Sequence, residues 1–303
     1  MQKVLAGLLL LVLASLANAG CVADNNARDA LLALKQSGFE ISDNASRQAQ
    51  AIQLLDCLAE PDPIVRDGVA FEALSTWMRA DLIDAATLAT LRTRLLESLR
   101  QPDDAQGLRH SFGVLTLSEV ARVDRLTGRF EPAQRREQVD ACLSYFVAIK
   151  DFRGFDETVG WRHQVAHGSD WILQLAINGK IKANDVARLM DGLALKIAPS
   201  EHAYRFGEPE RLARAVFFTY QRGVLADVFW DGWFARLVRP AQFADWTAAS
   251  KTVAGLTLRH NLTAFLLALN MAATAREGAE DTAVRRRVMA ALEVISGLAV
   301  AGG

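Results

Sequence analysis

The sequence predicts an all-α protein, an α-α superhelix in which about five antiparallel helical hairpins stack as an array. Two observations support this fold class. No stretch alternates β-branched and aromatic residues between hairpin turns, whereas apolar residues at helical spacing recur along the chain. In addition, an arginine opens a predicted helix every 43 to 53 residues. A repeat of that length with two helices in each unit is typical of stacked helical hairpins.

The first predicted helices are bounded by capping residues and by prolines. Residues Asn25 to Gln36 form the first, and Asp43 or Asn44 caps a second that runs to about Leu58. The Pro61-Asp62-Pro63 segment then breaks the chain and begins a third helix, because proline is tolerated in a first helical turn.

The same signals place the later helices. Asp84 caps a helix that ends near Leu99, and Pro132 and Pro209 each stand at a first helical position. The helices that follow are predicted at roughly 106–124, 132–150, 161–178, 184–197, 209–222, 224–238, 253–275 and 281–298.

The spaced arginines also predict how the hairpins are arranged. Each is followed four residues later by a small residue, which lets a neighbouring helix approach closely. The segment from Asp62 to Arg66, with Ala70 and Leu74 after it, resembles the start of a HEAT repeat. We therefore expect a HEAT-like array whose arginines line one face, with the His163 helix at its centre. The arginines are Arg66, Arg109, Arg162, Arg211 and Arg259.

The first 19 residues have the features of a signal peptide. Lys3 precedes an apolar run, Val4 to Leu16, that is too short to span a membrane, and Ala17-Asn18-Ala19 supplies a cleavage signal. We expect an exported, periplasmic protein with a signal peptide (1–19), an N-terminal helical segment (20–60) and a HEAT-like repeat domain (61–300). The alternative is a lipoprotein anchored through Cys21, but Asn18 stands where that signal requires an apolar residue.

Three cysteines, Cys21, Cys57 and Cys142, allow three single pairings with one thiol left over. Exported proteins keep disulfides, and the pairing that we favour is Cys21–Cys57, which ties the mature N-terminus to the second helix. No Cys-x-x-Cys pair is present, so the sequence does not support thioredoxin-like redox chemistry.

The charge balance narrows the classes of partner. With 34 basic and 35 acidic residues the net charge is −1, so no overall field attracts nucleic acid or anionic lipid. We expect the partner to be a protein or a small anionic ligand, and neither nucleic acid nor a membrane.

Residues 151–171, D-F-R-G-F-D-E-T-V-G-W-R-H-Q-V-A-H-G-S-D-W, hold the best candidate site. A polar loop is predicted to lead through Gly160 into a helix that begins near Trp161. On a helix, residues three and four apart share a face, so His163, His167 and Asp170 are predicted to project from one stripe.

Binding is the first interpretation of this stripe. Arginine and histidine side chains recognise carboxylates and phosphates, and arginine does so with two parallel hydrogen bonds. Trp161 and Trp171 are predicted to form the walls of such a pocket. A polar loop at Glu201–Gly207 is a candidate for closing over it. The predicted binding residues are Arg153, Asp156, Trp161, Arg162, His163, His167 and Asp170.

A metal site is the second interpretation. His163 and His167 have the spacing of two histidine ligands on a zinc helix, and Asp170 or Glu157 would complete the set around a divalent metal. Such a centre would make the protein a metal-dependent hydrolase. However, Gln164 stands where the H-E-x-x-H motif requires its glutamate base. No other cofactor is predicted.

The third interpretation is purely structural. The same histidines and arginines would hydrogen-bond to carboxylates and carbonyls inside the helical stack, and so fix how the helices pack against each other.

The motif also carries a family resemblance. It is similar to the R-G-aromatic…G-W-x-H-x-x-A-H-x-x-D core of the domain-of-unknown-function 2785 family of bacterial proteins. The resemblance covers about residues 55–275, and it implies an all-helical, HEAT-like protein with no established activity. Members are often without a leader, so the export expected here departs from the family. The matching residues are Arg153-Gly154-Phe155, Gly160-Trp161, His163, Ala166-His167 and Asp170, with similar segments at Arg109-His110-Ser111-Phe112 and Asp62.

Overall fold

The fold is all-α, as predicted. The computed structural model describes residues 21–274 and 278–296, so the predicted signal peptide lies outside the described residues. About 69% of the structure is helix and 1% is strand. No helix in the described ranges combines the length and the apolar composition that crossing a bilayer requires.

The N-terminal segment is two capped helices fastened by a disulfide. Asp24 caps helix α1 (Asn25–Gln36) and Asp43 caps α2 (Asn44–Gln53), and each aspartate side chain accepts a backbone N–H of the first turn. A 3₁₀ turn follows at Asp56–Ala59. Cys21 is bonded to Cys57 in this turn, across 36 residues of sequence, and Cys142 is a buried free thiol.

The next helix contains a π-helical segment. It begins with α3 (Pro63–Val65), continues through the π-helix Arg66–Phe71 and ends with α4 (Glu72–Arg79). The π segment turns Arg66, which is fully buried, toward the motif loop. The sequence pattern predicted a helix here but not its wider turn.

Apart from a short helix at Trp246–Ala249 that was not predicted, the remaining helices lie close to their predicted positions. Asp84 and Pro132 begin theirs as expected, whereas Pro209 is the second residue of its helix, after Glu208. Their bounds are α5 (Ala85–Ser98), α6 (Leu108–Thr127), α7 (Pro132–Ala148), α8 (Gln164–Ala176), α9 (Ala183–Ala194), α10 (Glu208–Gln221), α11 (Asp227–Leu237), α12 (Trp246–Ala249), α13 (Val253–Thr274) and α14 (Ala279–Ser296).

Alternate helices pack side by side in two rows. The first row is α4, α6, α8, α10 and α13, in which each helix contacts the next. In the second row α7, α9, α11 and α14 are neighbours, and Arg92 joins α5 to this row by donating to the Gln134 carbonyl of α7. The core between and within the rows contains the fully buried Trp77, Trp171 and Trp233.

The five spaced arginines do not line one face. Arg66 and Arg162 are buried beneath the motif loop, and Arg109 lines a cavity beside the 3₁₀ turn. Arg211 pairs with Asp170, and Arg259 lies next to α14. The expectation of a shared face is wrong because Arg66 sits on the π-helix and Arg162 precedes its helix.

Candidate functional site

The motif loop is a short β-hairpin rather than the start of a helix. Strands β1 (Phe155–Asp156) and β2 (Gly160–Trp161) pair antiparallel. Asp156 closes the turn by accepting the N–H groups of Thr158 and Val159 at 2.8 and 3.0 Å. These backbone hydrogen bonds lower the pKa of Asp156. The predicted helix over 161–178 therefore begins later, at Gln164.

Buried Arg66 anchors this hairpin to the first row. Its guanidinium donates to the Val159 carbonyl at 2.6 Å and to the Glu60 carbonyl at 2.9 Å. It also stacks over the Phe112 ring of α6, at 4.5 Å from the ring centroid. Gly160, with φ +73°, passes close to this guanidinium, and an added Cβ would lie 3.4 Å from it. The hairpin thus has a fixed position against α3 and α6.

His163 lies between the hairpin and α8. Its φ of +48° places it outside the helix as the N-cap residue. Its Nε2 donates to the Phe206 carbonyl at 2.9 Å, and because a carbonyl only accepts, the ring must carry its proton there. Glu208 Oε1 of α10 lies 3.5 Å from the same nitrogen, and Trp161 stacks on the ring at 4.4 Å.

Glu208 remains a carboxylate although it is almost fully buried. Burial acts to raise its pKa, but the His163 ring and the Phe206 N–H, at 2.9 Å, lower the pKa overall. Gly154 makes this contact possible, because a Cβ at that position would lie 2.3 Å from Phe206 Cδ2 and 2.7 Å from Glu208 Oε1. The Gly154 backbone therefore packs directly against the side chains of Phe206 and Glu208.

His167 faces the opposite neighbour, α6. Its Nδ1 lies 2.8 Å from the Ser111 hydroxyl and 3.2 Å from the Ser111 carbonyl, so Nδ1 carries the proton. The Ser111 hydroxyl in turn donates to the Arg162 carbonyl. Burial, and then the nearby His163 and Arg211, lower the pKa of His167 well below that of free imidazole. His167 is a neutral structural contact between α6 and α8.

The two motif arginines are already occupied. Half-exposed Arg153 donates to the Asp151 carboxylate at 2.5 and 2.8 Å, a contact that raises the pKa of Arg153. Buried Arg162 donates to Gln106 Oε1 at 2.7 Å and lies 3.8 Å from Asp156. These contacts leave neither guanidinium free as the main receptor for an anion.

The remaining motif residues lie at the surface or on α8. Trp161 and Phe155 are 40% and 43% exposed and meet edge to face at 4.9 Å. Asp170 accepts a hydrogen bond from Arg211 of α10. Burial raises the pKa of Asp170, and Arg211 acts against this rise. The motif thus joins α8 to α6 on one side and to α10 on the other.

A family comparison assigns the chain to a protein family. The model of a family described as "Protein of unknown function (DUF2785)" matches residues 95–271, which is more than half of the chain. The chain belongs to this family. No curated protein and no solved structure matches the chain. The DUF2785 match contains the motif hairpin, α8 and its partners on α6 and α10, whereas Arg66 lies outside it.

The structure does not bring the predicted metal ligands of this DUF2785 protein together. The rings of His163 and His167 meet edge to face at 5.8 Å, and their protonated nitrogens contact Phe206 and Ser111 respectively, so only the opposite nitrogen of each ring has a lone pair for a metal. Asp170 is paired with Arg211, and Glu157 is exposed in the hairpin turn. Over the described parts of the chain, no group of three histidine, cysteine, aspartate or glutamate side chains is arranged to hold an ion.

Sequence reasoning missed the partners of the DUF2785 motif. Glu208, Gln106 and Ser111 complete the network, yet each lies some 40 to 60 residues from the histidine or arginine that it contacts. Ser111 belongs to the 109–112 segment of the family resemblance, and the predicted closing loop 201–207 does supply the Phe206 carbonyl. Those two signals were present in the sequence, but they did not specify the contacts.

Proposed function

We propose that this protein is a HEAT-like scaffold that binds an acidic segment of a partner protein. In this proposal the five repeats are the hairpins α4/α5, α6/α7, α8/α9, α10/α11 and α13/α14, within a repeat domain of residues 61–300 that follows the N-terminal segment 20–60. The side-by-side packing of the two rows supports this arrangement. The motif holds three neighbouring repeats together rather than contacting the partner.

The binding surface is the outer face of the first row, which we call the arginine face (Arg122, Arg125, Asp170, Arg211 and Arg214). Arg211 is neutralised by Asp170, whereas Arg125 donates to the neutral Gln174 amide at 2.9 Å. Burial, followed by the adjacent Arg122, lowers the pKa of Arg125. Among the described residues neither Arg122 nor Arg214 forms an ion pair, although Arg214 is near enough to Asp170 to act against the rise in its pKa. The face therefore carries excess positive charge.

An apolar groove continues from this face between α10 and α13, and it is the observation that carries the proposal. The groove has a volume of about 580 Å³, and Arg214 lines it together with Glu210, so its positive charge comes from the adjoining arginine face. Leu267 and Met271 line it and are 49% and 71% exposed. Exposed apolar grooves mark protein interfaces, and flexible methionine suits a helix that docks in one. Charge complementarity then favours an acidic amphipathic helix.

The N-terminus supports export as part of this proposal. The disulfide between Cys21 and Cys57 is the kind of bond that persists in an oxidising compartment such as the periplasm. It also occupies the sulfur that lipoprotein acylation would require. We therefore propose the exported form over the form anchored through Cys21.

Two synthetic helices test the binding proposal. Each is an 18-residue amphipathic peptide with one leucine stripe, flanked by glutamate in the first and by lysine in the second. By fluorescence anisotropy we expect the acidic peptide to bind at least about tenfold more tightly, with affinity that falls as salt rises. The double variant Arg122→Glu with Arg214→Glu should lose this preference for the acidic peptide. Met271→Glu should lower the affinity for both peptides.

Arg136→Glu is the matched control, because Arg136 is an exposed arginine on α7 in the second row. Its affinity for the acidic peptide should equal that of the wild type. Equal binding of the two peptides, or no binding of either, contradicts the proposal.

A further inference from the structure

A second cavity lies away from the arginine face. It has a volume of about 680 Å³ and lies between the 3₁₀ turn, the end of α5 and the start of α6. Its apolar wall includes Leu55, Leu58 and Leu95. Sites for small molecules typically enclose about 300–1,000 Å³ and combine an apolar lining with a few polar groups. Its size and lining are therefore those of a small-molecule site.

Four charged side chains line this cavity without being paired. Arg94 of α5 and Arg109 of α6 are the cations, and Asp56 and Glu60, from the segment around the 3₁₀ turn, are the anions. Within the described ranges, none of the four makes an ion pair or a side-chain hydrogen bond. Opposite charges thus line one cavity but remain separated.

The third acid of the cavity is not available to a ligand. Asp104 accepts the N–H groups of Gln106, Leu108 and Arg109, at 2.8, 3.0 and 2.6 Å, and so caps the start of α6. The charged groups that remain to bind a ligand are Arg94, Arg109, Asp56 and Glu60.

We propose that this cavity binds a small apolar zwitterion, namely an amino acid or a short apolar peptide with free termini. Arg94 and Arg109 bind its carboxylate, since guanidinium groups donate paired hydrogen bonds to carboxylates. Asp56 and Glu60 bind its ammonium group, and the leucines contact its apolar body. A simple anion would meet the repulsion of the two acids, so both termini are needed for tight binding.

Gly113 provides a way to block the cavity. It lies in the interior of α6 and lines the cavity, and an added Cβ would lie 3.7 Å from Leu95 Cδ2, an ordinary contact. Replacing a helical glycine also favours the helix. Gly113→Leu is therefore expected to fill the site while the protein stays folded, which the melting temperature verifies.

Calorimetric titration of the full mature chain tests the proposal. The probes are L-leucine, Leu-Leu and Leu-Leu-Leu, which distinguish an amino acid from a peptide, together with the N-acetylated and C-amidated forms of the tightest one. We expect each terminal modification, and Arg109→Gln, to weaken binding by at least about tenfold. Gly113→Leu should abolish binding.

Arg100→Gln is the matched control, because Arg100 follows α5 but donates to Glu137 of α7. Arg122→Glu with Arg214→Glu should likewise leave this binding unchanged, so failure here is distinct from failure of the partner-binding proposal. No binding of any free-terminus probe at about 10 mM overturns the inference. Equal affinity for the acetylated probe, or binding that survives Arg109→Gln or Gly113→Leu, overturns it as well.

Discussion

His163 and His167 are four residues apart, yet they contact different helices. Only His167 lies within α8, where it faces Ser111 of α6. His163 has a left-handed backbone and turns its ring toward Phe206 and Glu208. Helical spacing alone therefore overestimated how closely the two imidazoles cooperate. His167 therefore contacts the helix on one side of α8, and His163 contacts the residues on the other side.

The neutral state of His167 predicts how stability depends on pH. The pKa of His167 in the folded protein is well below its unfolded value of about 6.5, so below that pH only the unfolded chain gains a proton. Its contribution is complete above pH 6.5 and is lost as the pH falls. The unfolding free energy of His167→Gln, from urea titrations, should fall less steeply between pH 6.5 and 5 than that of the wild type. The two slopes should differ by up to about 1 kcal/mol per pH unit. Parallel profiles would rule out this role.

Gly154 predicts a steric effect of a single methyl group. Its added Cβ would lie 2.3 Å from Phe206 Cδ2, so Gly154→Ala must push the loop away from α10. We expect a loss of about 1–3 kcal/mol in the unfolding free energy, measured by urea denaturation. Gly179→Ala is the matched control, because no atom lies within 4 Å of a Cβ built there. Equal stability of the two variants would contradict the described contact.

At the scale of elements, the sequence predicted what local chemistry determines. Pro132 begins α7 and Asp84 caps α5, as expected, because proline and a capping carboxylate act within one turn. The hairpin at 155–161 was missed, since strands of two residues are too short for an alternating pattern. The π-helix was missed as well, and the contact of its Arg66 with the Val159 carbonyl joins residues 93 positions apart, which local sequence patterns do not reveal.

The disulfide predicts the stability of the N-terminal segment. It closes a loop across 36 residues, which restricts the unfolded chain. Removing such a constraint costs about 3–4 kcal/mol in the chain-entropy treatment. Cys57→Ser should lose that amount in guanidinium unfolding under oxidising conditions, and the difference should vanish when both proteins are reduced. A difference that persists on reduction would assign the effect to packing.

At the scale of the whole molecule, the motif connects α8 with α6 and α10. It was recognisable in the sequence because His163, His167 and Asp170 are polar in an apolar context. Its structural role was not recognisable in the sequence, because Glu208 and Ser111 contact the motif only when α10 and α6 pack beside α8. The arginine face was also hidden, since its charges come from three helices that become neighbours only in the fold.

The most direct test distinguishes, in one experiment, the structural role of the motif from the binding role of the arginine face. Urea unfolding and affinity for the acidic peptide are measured for His163→Asn and for Arg122→Glu with Arg214→Glu. Asparagine tolerates the left-handed backbone at 163 but is too short to keep the Phe206 contact. We predict that His163→Asn loses about 1–3 kcal/mol of stability and keeps its peptide affinity, whereas the arginine pair keeps its stability and loses binding. A His163→Asn protein of unchanged stability that no longer binds the peptide would contradict this account.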